Sequence, residues 1–240
     1  MTRSHVAADE RSDPGSVMKS SLFEPSNNEI STTEWMSLQN DYMLKARVYP
    51  QYDLIAQKGA MVAYQGDVTF THEGSRDVGQ FLKKMMSSDD QPLMRLSGDG
   101  EVFLASYKAN VHLIQLENDA ITINGRNLLA FQSSLQYDLN RVQGAGMLTG
   151  GMWNTTIHGV GTAAVVTQGP PVILDCSQQP TFTDMQATIA WSANIRPTVK
   201  SSMSAGSLIG RGSGEAFQYA FHGPGWVIVQ PSELSFPVTA

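Results

Sequence analysis

The sequence predicts an all-β protein. The expected fold is a β-sandwich or a coiled, double-stranded β-helix-like fold, with internal strand repeats and one or two short helices. The 240 residues include 21 glycines and 11 prolines, and only 16% are charged, against about 25% in an average domain. After position 93, short apolar runs alternate with turn residues about every 8–12 residues, as in sandwiches and barrels. A Gly-x-Gly element also recurs along the chain.

The N-terminal residues 1–17 are polar and lack periodicity, which predicts a disordered arm. Residues 18–240 are expected to form a single β-sandwich domain with internal repeats. The chain shows neither the apolar core of a signal peptide nor a run of 18 apolar residues, so we expect a cytoplasmic protein. The one cysteine, Cys176, agrees with a reducing compartment and is predicted to be a buried small hydrophobe rather than a reactive thiol.

The first periodic segment alternates apolar and polar residues from Tyr42 to Val48, and Pro50 ends it, which predicts a strand. One helix is predicted where four apolar side chains fall at helical spacing behind Asp77, a capping residue. We expect this helix to cover an open end of the β structure. Its apolar stripe consists of Val78, Phe81, Leu82 and Met85.

The repeated element pairs two glycines and then continues as an apolar run. Its copies start at intervals of 61 and 64 residues, and residues 124–131 match residues 184–191 at an offset of 60. A fixed period indicates a repeated supersecondary unit. Each pair is expected to permit a tight turn or a close backbone approach ahead of a strand, and not to bind a dinucleotide, because no helix follows. The pairs are Gly98 and Gly100, Gly159 and Gly161, and Gly223 and Gly225.

The order and spacing of several segments resemble the Altered Inheritance of Mitochondria twenty-four family, over roughly residues 40 to 233. The matching segments are Lys58–Tyr64, Ser97–Ala105, Asn127–Phe131, Ile189–Trp191, Gly212–Phe217 and Phe221–Gln230. Residues 107–111 depart from the family pattern, where a Pro-Gly turn is more usual, which affects only the local turn.

The resemblance implies a fold similar to that of the tryptophan RNA-binding attenuator protein-like superfamily, members that oligomerise, and no established enzymatic activity. In mitochondria the family is tied to inner-membrane organisation. Tryptophan and RNA binding are not transferred with the fold. The formal net charge of −6 and the lack of a Lys/Arg cluster denser than residues 83–84 argue against nucleic acid and against anionic lipid.

The alternative is a cupin-like enzyme that binds a metal or a small ligand. The sequence has no His-x-His pair: His112 is expected on a strand, and His158 and His222 are expected to have turn roles at equivalent repeat positions. Glu101 and Glu215 follow glycines and are expected to bond turn amides. We therefore predict no catalytic residue, no metal site and no cofactor.

The uncharged segment 143–153 is either a loop folded over the core or a contact loop for a partner subunit or a membrane surface. Its candidate interface residues are Met147, Leu148, Met152 and Trp153. The expected function is that of a non-enzymatic, homo-oligomeric interaction or scaffold protein with an unidentified protein partner. A link to membrane-associated assemblies is a further expectation, which the charge does not support.

Overall fold

The computed structural model describes residues 20–72, 93–141, 153–201 and 217–231. The chain divides into two compact parts, Met1–Thr32 and Thr33–Ala240. The first part contributes two short 3-10 helices, Ser21–Phe23 and Pro25–Asn27. The Ser20 hydroxyl caps the former by accepting the Leu22 N–H at 3.2 Å. None of the helices that the structure describes is long and apolar enough to span a bilayer. The helix predicted over Val78–Met85 lies outside the described residues.

The second part is built of antiparallel strands, which confirms the all-β class. Alternating and continuous apolar runs, punctuated by glycine, asparagine and proline, form these strands because their side chains pack on one or both faces of a sheet. The strands are β1 (Met36–Asn40), β2 (Met43–Val48), β3 (Leu54–Gln57), β4 (Met61–His72), β5 (Leu93–Leu104), β6 (Asn110–Asn124), β7 (Leu128–Gln132), β8 (Gln136–Arg141), β9 (Trp153–Thr167), β10 (Val172–Asp175), β11 (Thr181–Asp184), β12 (Thr188–Ser192), β13 (Thr198–Ser201), β14 (Phe217–Phe221) and β15 (Trp226–Val229).

These strands form three repeats of one three-segment unit, in which the third segment pairs with the first on one side and the second on the other. In the first repeat the segments are β2 with β3, then β4, then β5. In the second they are β6, then β7 with β8, then β9. In the third they are β10 with β11, β12 with β13, and β14 with β15. The internal repeats predicted from the sequence are therefore confirmed.

The equivalence of the repeats extends to single hydrogen bonds. The second segment of each repeat begins with a register shift, after Met61, Leu128 and Thr188 respectively. Beside each shift a backbone N–H from the end of the third segment donates to the residue just before the second. These bonds run from Ala105 to Ala60 at 2.9 Å, from Val166 to Asn127 at 2.8 Å and from Gln230 to Ala187 at 2.9 Å.

Consecutive repeats are joined edge to edge by two equivalent ladders. The end of the first segment of one repeat pairs with the start of the second segment of the next. The first ladder joins β3 to β7, with Ile55 opposite Phe131. The second joins β6 to β12, with Thr122 opposite Trp191. Each ladder completes a layer shared by two repeats.

The shared layers are buried on both faces. Along β3, Leu54 and Ala56 belong to one apolar cluster and Ile55 to the next. A third cluster, which includes Trp191 and Tyr219, lies within the third repeat. The layers therefore follow one another as a stack, with an apolar core inside each repeat.

Candidate functional site

The three glycine pairs lie where the third segment of each repeat changes neighbours. Gly98 and Gly100 lie inside β5, which pairs with β3 before them and with β2 from Gly100 onward. Gly159 and Gly161 lie inside β9, and Gly223 and Gly225 lie between β14 and β15. The first glycine of each pair has positive φ, at +122°, +119° and +105°. Two of the pairs thus lie within a continuous strand, where it changes neighbours, instead of preceding a strand.

The second glycine of a pair supports close packing. A Cβ on Gly100 would overlap the carbonyl oxygen of Gln65 on β4. Gly161 and Gly225 instead lie beside a tight turn inside the second segment, between β7 and β8 or between β12 and β13. In that turn the Gln132 side chain accepts the Thr162 N–H at 2.8 Å, and the Ser192 hydroxyl accepts the Trp226 N–H at 3.0 Å. These glycines therefore serve the fold, by letting the third segment approach its neighbours.

Sequence reasoning missed Gln132 and Ser192 as equivalent residues. Extending the 60-residue offset of 124–131 and 184–191 by one position would have paired them. The signal was weak because glutamine and serine share only the ability to accept a backbone N–H.

The predicted contact loop is described only at its end. Met147, Leu148 and Met152 lie outside the described residues. Trp153 is the first residue of β9, partly buried and opposite Arg141. Its carbonyl accepts the Gly125 N–H at 2.7 Å. Its backbone thus fixes the turn after β6.

The described histidines lie on separate strands or turns with separate partners. His112 bonds Thr167 at 2.9 Å, and burial lowers its pKa from the usual 6.5. His158 bonds Gln136 at 3.0 Å, and the His222 ring lies edge-on to Phe182. Among the residues that the structure describes, no three His, Cys, Asp or Glu side chains lie together as a metal site requires.

Glu101 and Cys176, two other side chains that could do chemistry, make contacts that stabilise the fold. The Glu101 carboxylate forms an ion pair with the Lys45 ammonium at 2.9 Å, between β5 and β2, and the Lys45 side chain is only 2% exposed. Cys176 follows β10 and is buried, as predicted. Glu215 lies outside the described residues.

An open apolar cleft lies between the second and third repeats. β6 pairs with β12 only over Ile121–Ile123, and the cleft lies between the preceding part of β6 and the residues of β10 and β15 that line it. The cleft has a volume of about 500 Å³. Among the described residues that line it, Asp119 is the one charged side chain. Its apolar lining includes Ile114, Leu116, Ile121, Ile173, Trp226 and Ile228.

The corresponding positions of the first repeat carry aromatic rings. If Gln57 is aligned with Asn124, the positions of Leu116 and Asp119 are taken by Tyr49 and Tyr52. These rings lie 4.4 Å apart, centroid to centroid, and both contact Trp35. The second repeat carries the smaller Leu116 and Asp119 at these positions, and both line the cleft.

A second, more polar cavity of about 440 Å³ lies beside the turns that follow β3, β5 and β6. Arg126 lines it, half-buried, and its guanidinium makes no hydrogen bond or ion pair with any residue that the structure describes. Burial lowers the pKa of Arg126. Lys58 and the Gly59 turn complete this side of the cavity.

Comparison with known proteins gives a family and a fold. The model of the family described as mitochondrial biogenesis AIM24 matches residues 36–232. A crystal structure of a Streptococcus pyogenes protein is similar at a TM-score of 0.66 and 20% identity, covering 82% of this chain and 92% of that one. At that identity the likeness shows the fold alone. A search of curated proteins found no match.

Proposed function

This chain belongs to the AIM24 family, and we propose that it is a non-enzymatic interaction module that holds an apolar segment of a partner protein in the cleft between β6, β10 and β15. The observation that carries the proposal is the apolar lining of an open cleft. Ligand and peptide sites combine such a lining with a few polar groups that fix orientation.

The side chain that marks the site most clearly is Ile173. It is 67% exposed on β10, at the cleft. A bound apolar segment would remove this side chain from water, which contributes about 25 cal/mol of binding free energy per Å² of apolar surface buried. Asp119 on the rim favours a segment with a basic residue beside its apolar ones.

The test compares two aspartates one residue apart. Ile173→Asp places a charge in the cleft, whereas Val172→Asp places it on the opposite face of the same strand, where Val172 is 55% exposed. Partners are captured from the native source with wild type and both variants, then purified and titrated by calorimetry. We expect the affinity to fall about tenfold or more for Ile173→Asp, because a carboxylate is buried without a partner. Val172→Asp should bind as wild type does.

Equal binding by the two variants would contradict the proposal. Native mass spectrometry of the gently purified protein adds an independent check. A stoichiometric small molecule or metal that Ile173→Asp does not displace would favour the ligand-binding alternative instead.

A second candidate function rests on the half-buried guanidinium of Arg126. An unpaired cation in a polar cavity suits a carboxylate or phosphate group, since charge-assisted hydrogen bonds would replace its lost hydration. Inorganic phosphate should then raise the melting temperature of the wild type and not of Arg126→Met. An equal response from both proteins would reject this function.

A further inference from the structure

The second segment of the first repeat has a free edge where the other two repeats are paired. In the second and third repeats, the start of this segment pairs with the preceding repeat, through β3 and β6 respectively. No such unit precedes the first repeat among the strands that the structure describes. Among the described strands, β4 pairs only with β5.

The side chains of this edge are exposed where their equivalents are buried. Tyr64 is 48% exposed, whereas the equivalent Phe131 and Trp191 are 0% and 3% exposed. Val62 is 55% exposed, and its equivalents Leu129 and Ile189 are 0% and 1% exposed. The first repeat thus carries the side chains of a paired strand, and no described strand covers them.

The third repeat presents the complementary edge. The end of its first segment is β11, which corresponds to the parts of β3 and β6 that join the next repeat. In the described part of the chain, β11 pairs only with β14. Phe182 at its centre is 47% exposed, whereas the equivalent Ile55 and Thr122 are 1% and 7% exposed.

We propose that the β4 edge of one copy pairs antiparallel with the β11 edge of a second copy, head to tail. The two internal ladders fix the register. Ile55 opposite Phe131 and Thr122 opposite Trp191 place Phe182 opposite Tyr64 of the neighbouring copy. Ala63 then lies opposite Thr183, and Gln65 opposite Thr181.

This inference deepens the proposed interaction function by naming a second copy as one partner, and it uses the sheet edges instead of the cleft. The paired copies would form a third shared layer, joined as the two internal layers are. An aromatic pair directly across two strands adds side-chain packing to the backbone pairing.

The composition of the β4 edge favours this pairing. Edge strands of monomers commonly carry lysines, prolines or other devices that block pairing. Residues 61–66 of β4 contain no charge and no proline. The strand is also long, from Met61 to His72, so it offers an extended template of unpaired backbone groups.

The two edges differ, so the contact is heterologous. A heterologous contact produces open chains, or closed rings where the rotation between copies permits. Each copy uses one edge of each kind, and blocking either edge on every copy should therefore abolish assembly.

The first experiment blocks one edge at a time with lysine. Tyr64→Lys and Phe182→Lys change exposed side chains, so both should fold. Tyr107→Lys, in the turn after β5 and 73% exposed, is the matched control. Light scattering and native mass spectrometry over a dilution series should show assemblies for wild type and Tyr107→Lys, and monomers for each edge variant. A wild type that is monomeric at all concentrations would overturn the proposal.

Mixing the two edge variants gives the sharpest outcome. Tyr64→Lys retains a working β11 edge and Phe182→Lys a working β4 edge, so an equimolar mixture should form a 1:1 dimer and nothing larger. Pairing of β4 with β4 would instead leave Phe182→Lys assembled, and mixing would change nothing. That result would also overturn the head-to-tail model.

A cysteine pair tests the register. Tyr64→Cys with Phe182→Cys in one chain should give a ladder of intermolecular disulfides on oxidation. Tyr64→Cys with Thr183→Cys should not, because neighbouring residues of a strand point to opposite faces. Equal cross-linking by both pairs would refute the register. Ile173→Asp should leave assembly intact, and the edge variants should still bind the cleft partner, so failure of one proposal is distinguishable from failure of the other.

Discussion

Replacing Gly98 with alanine should destabilise the protein much more than replacing Gly223, although the two glycines are equivalent in the repeats. Both have positive φ, +122° and +105°. An L-residue in left-handed backbone costs roughly 1–2 kcal/mol, which both variants share. The difference lies in the surroundings. A Cβ on Gly98 would overlap the carbonyl oxygen of Asp67 in the adjacent strand, whereas nothing lies within 4 Å of a Cβ on Gly223.

The overlap at Gly98 involves backbone, which cannot rotate away, so β4 and β5 must separate locally. Overpacking of this kind adds about 1–3 kcal/mol. Gly98→Ala should therefore lose about 2–5 kcal/mol and Gly223→Ala about 1–2 kcal/mol. Urea unfolding followed by circular dichroism measures both, and about 2–4 °C of melting temperature accompanies each kcal/mol in a chain of this size. Losses that agree within about 0.5 kcal/mol would show that the close approach of β4 and β5 is not what requires glycine at 98.

Three further predictions concern the cores and the joints between repeats. Phe131→Ala should lower the free energy of unfolding by about 3–5 kcal/mol, as measured by chemical denaturation. Tyr64→Ala, at the equivalent exposed position, should lower it by under about 1 kcal/mol in dilute protein. Similar losses for the two variants would contradict the difference in burial. The Asn124 side chain donates hydrogen bonds to the carbonyls of Met185 and Thr188, both at 3.1 Å. Asn124→Ala should therefore lower the free energy of unfolding by about 2–4 kcal/mol, because it leaves buried acceptors unpaired. A neutral effect would mean that water replaces the lost hydrogen bonds. Burial lowers the pKa of His112 in the folded protein, so the unfolded chain binds more protons than the folded one as the pH falls through 6.5. The free energy of unfolding should therefore drop on acidification. His112→Gln should flatten this part of the profile of stability against pH, and an unchanged profile would assign the dependence to other groups.

The repeat architecture could be predicted from the sequence because glycine recurs at equivalent positions of the repeats. Gly98, Gly159 and Gly223 recur where backbone geometry admits few other residues. The second segments have almost no recurring residue of this kind. Met61, Leu128 and Thr188 begin equivalent strands with the same register shift, but a backbone irregularity of this kind accepts many side chains. The sequence therefore showed the period of the repeat without showing its segments.

The candidate cleft could not be predicted from the sequence for a different reason. Its lining residues come from strands far apart in the chain, and each is an ordinary apolar residue of a strand. The cleft lies beside the part of β6 that precedes Ile121, where the ladder joining β6 to β12 has ended. Neither composition nor periodicity encodes that point.

The features proposed for function arise where the three repeats stop being equivalent. Inside the chain, each repeat covers the edge of its neighbour, and the aromatic rings at Phe131 and Trp191 are buried by that contact. At the outer edges of the first and third repeats, no described strand makes the same contact, and Tyr64 and Phe182 are exposed. The cleft follows the same rule: the first repeat carries the aromatic Tyr49 and Tyr52 at the positions where the second carries Leu116 and Asp119, which line the cleft. In a repeated fold, each repeat buries the apolar edge of its neighbour. Surfaces available for binding therefore lie at the positions where one repeat differs from the others.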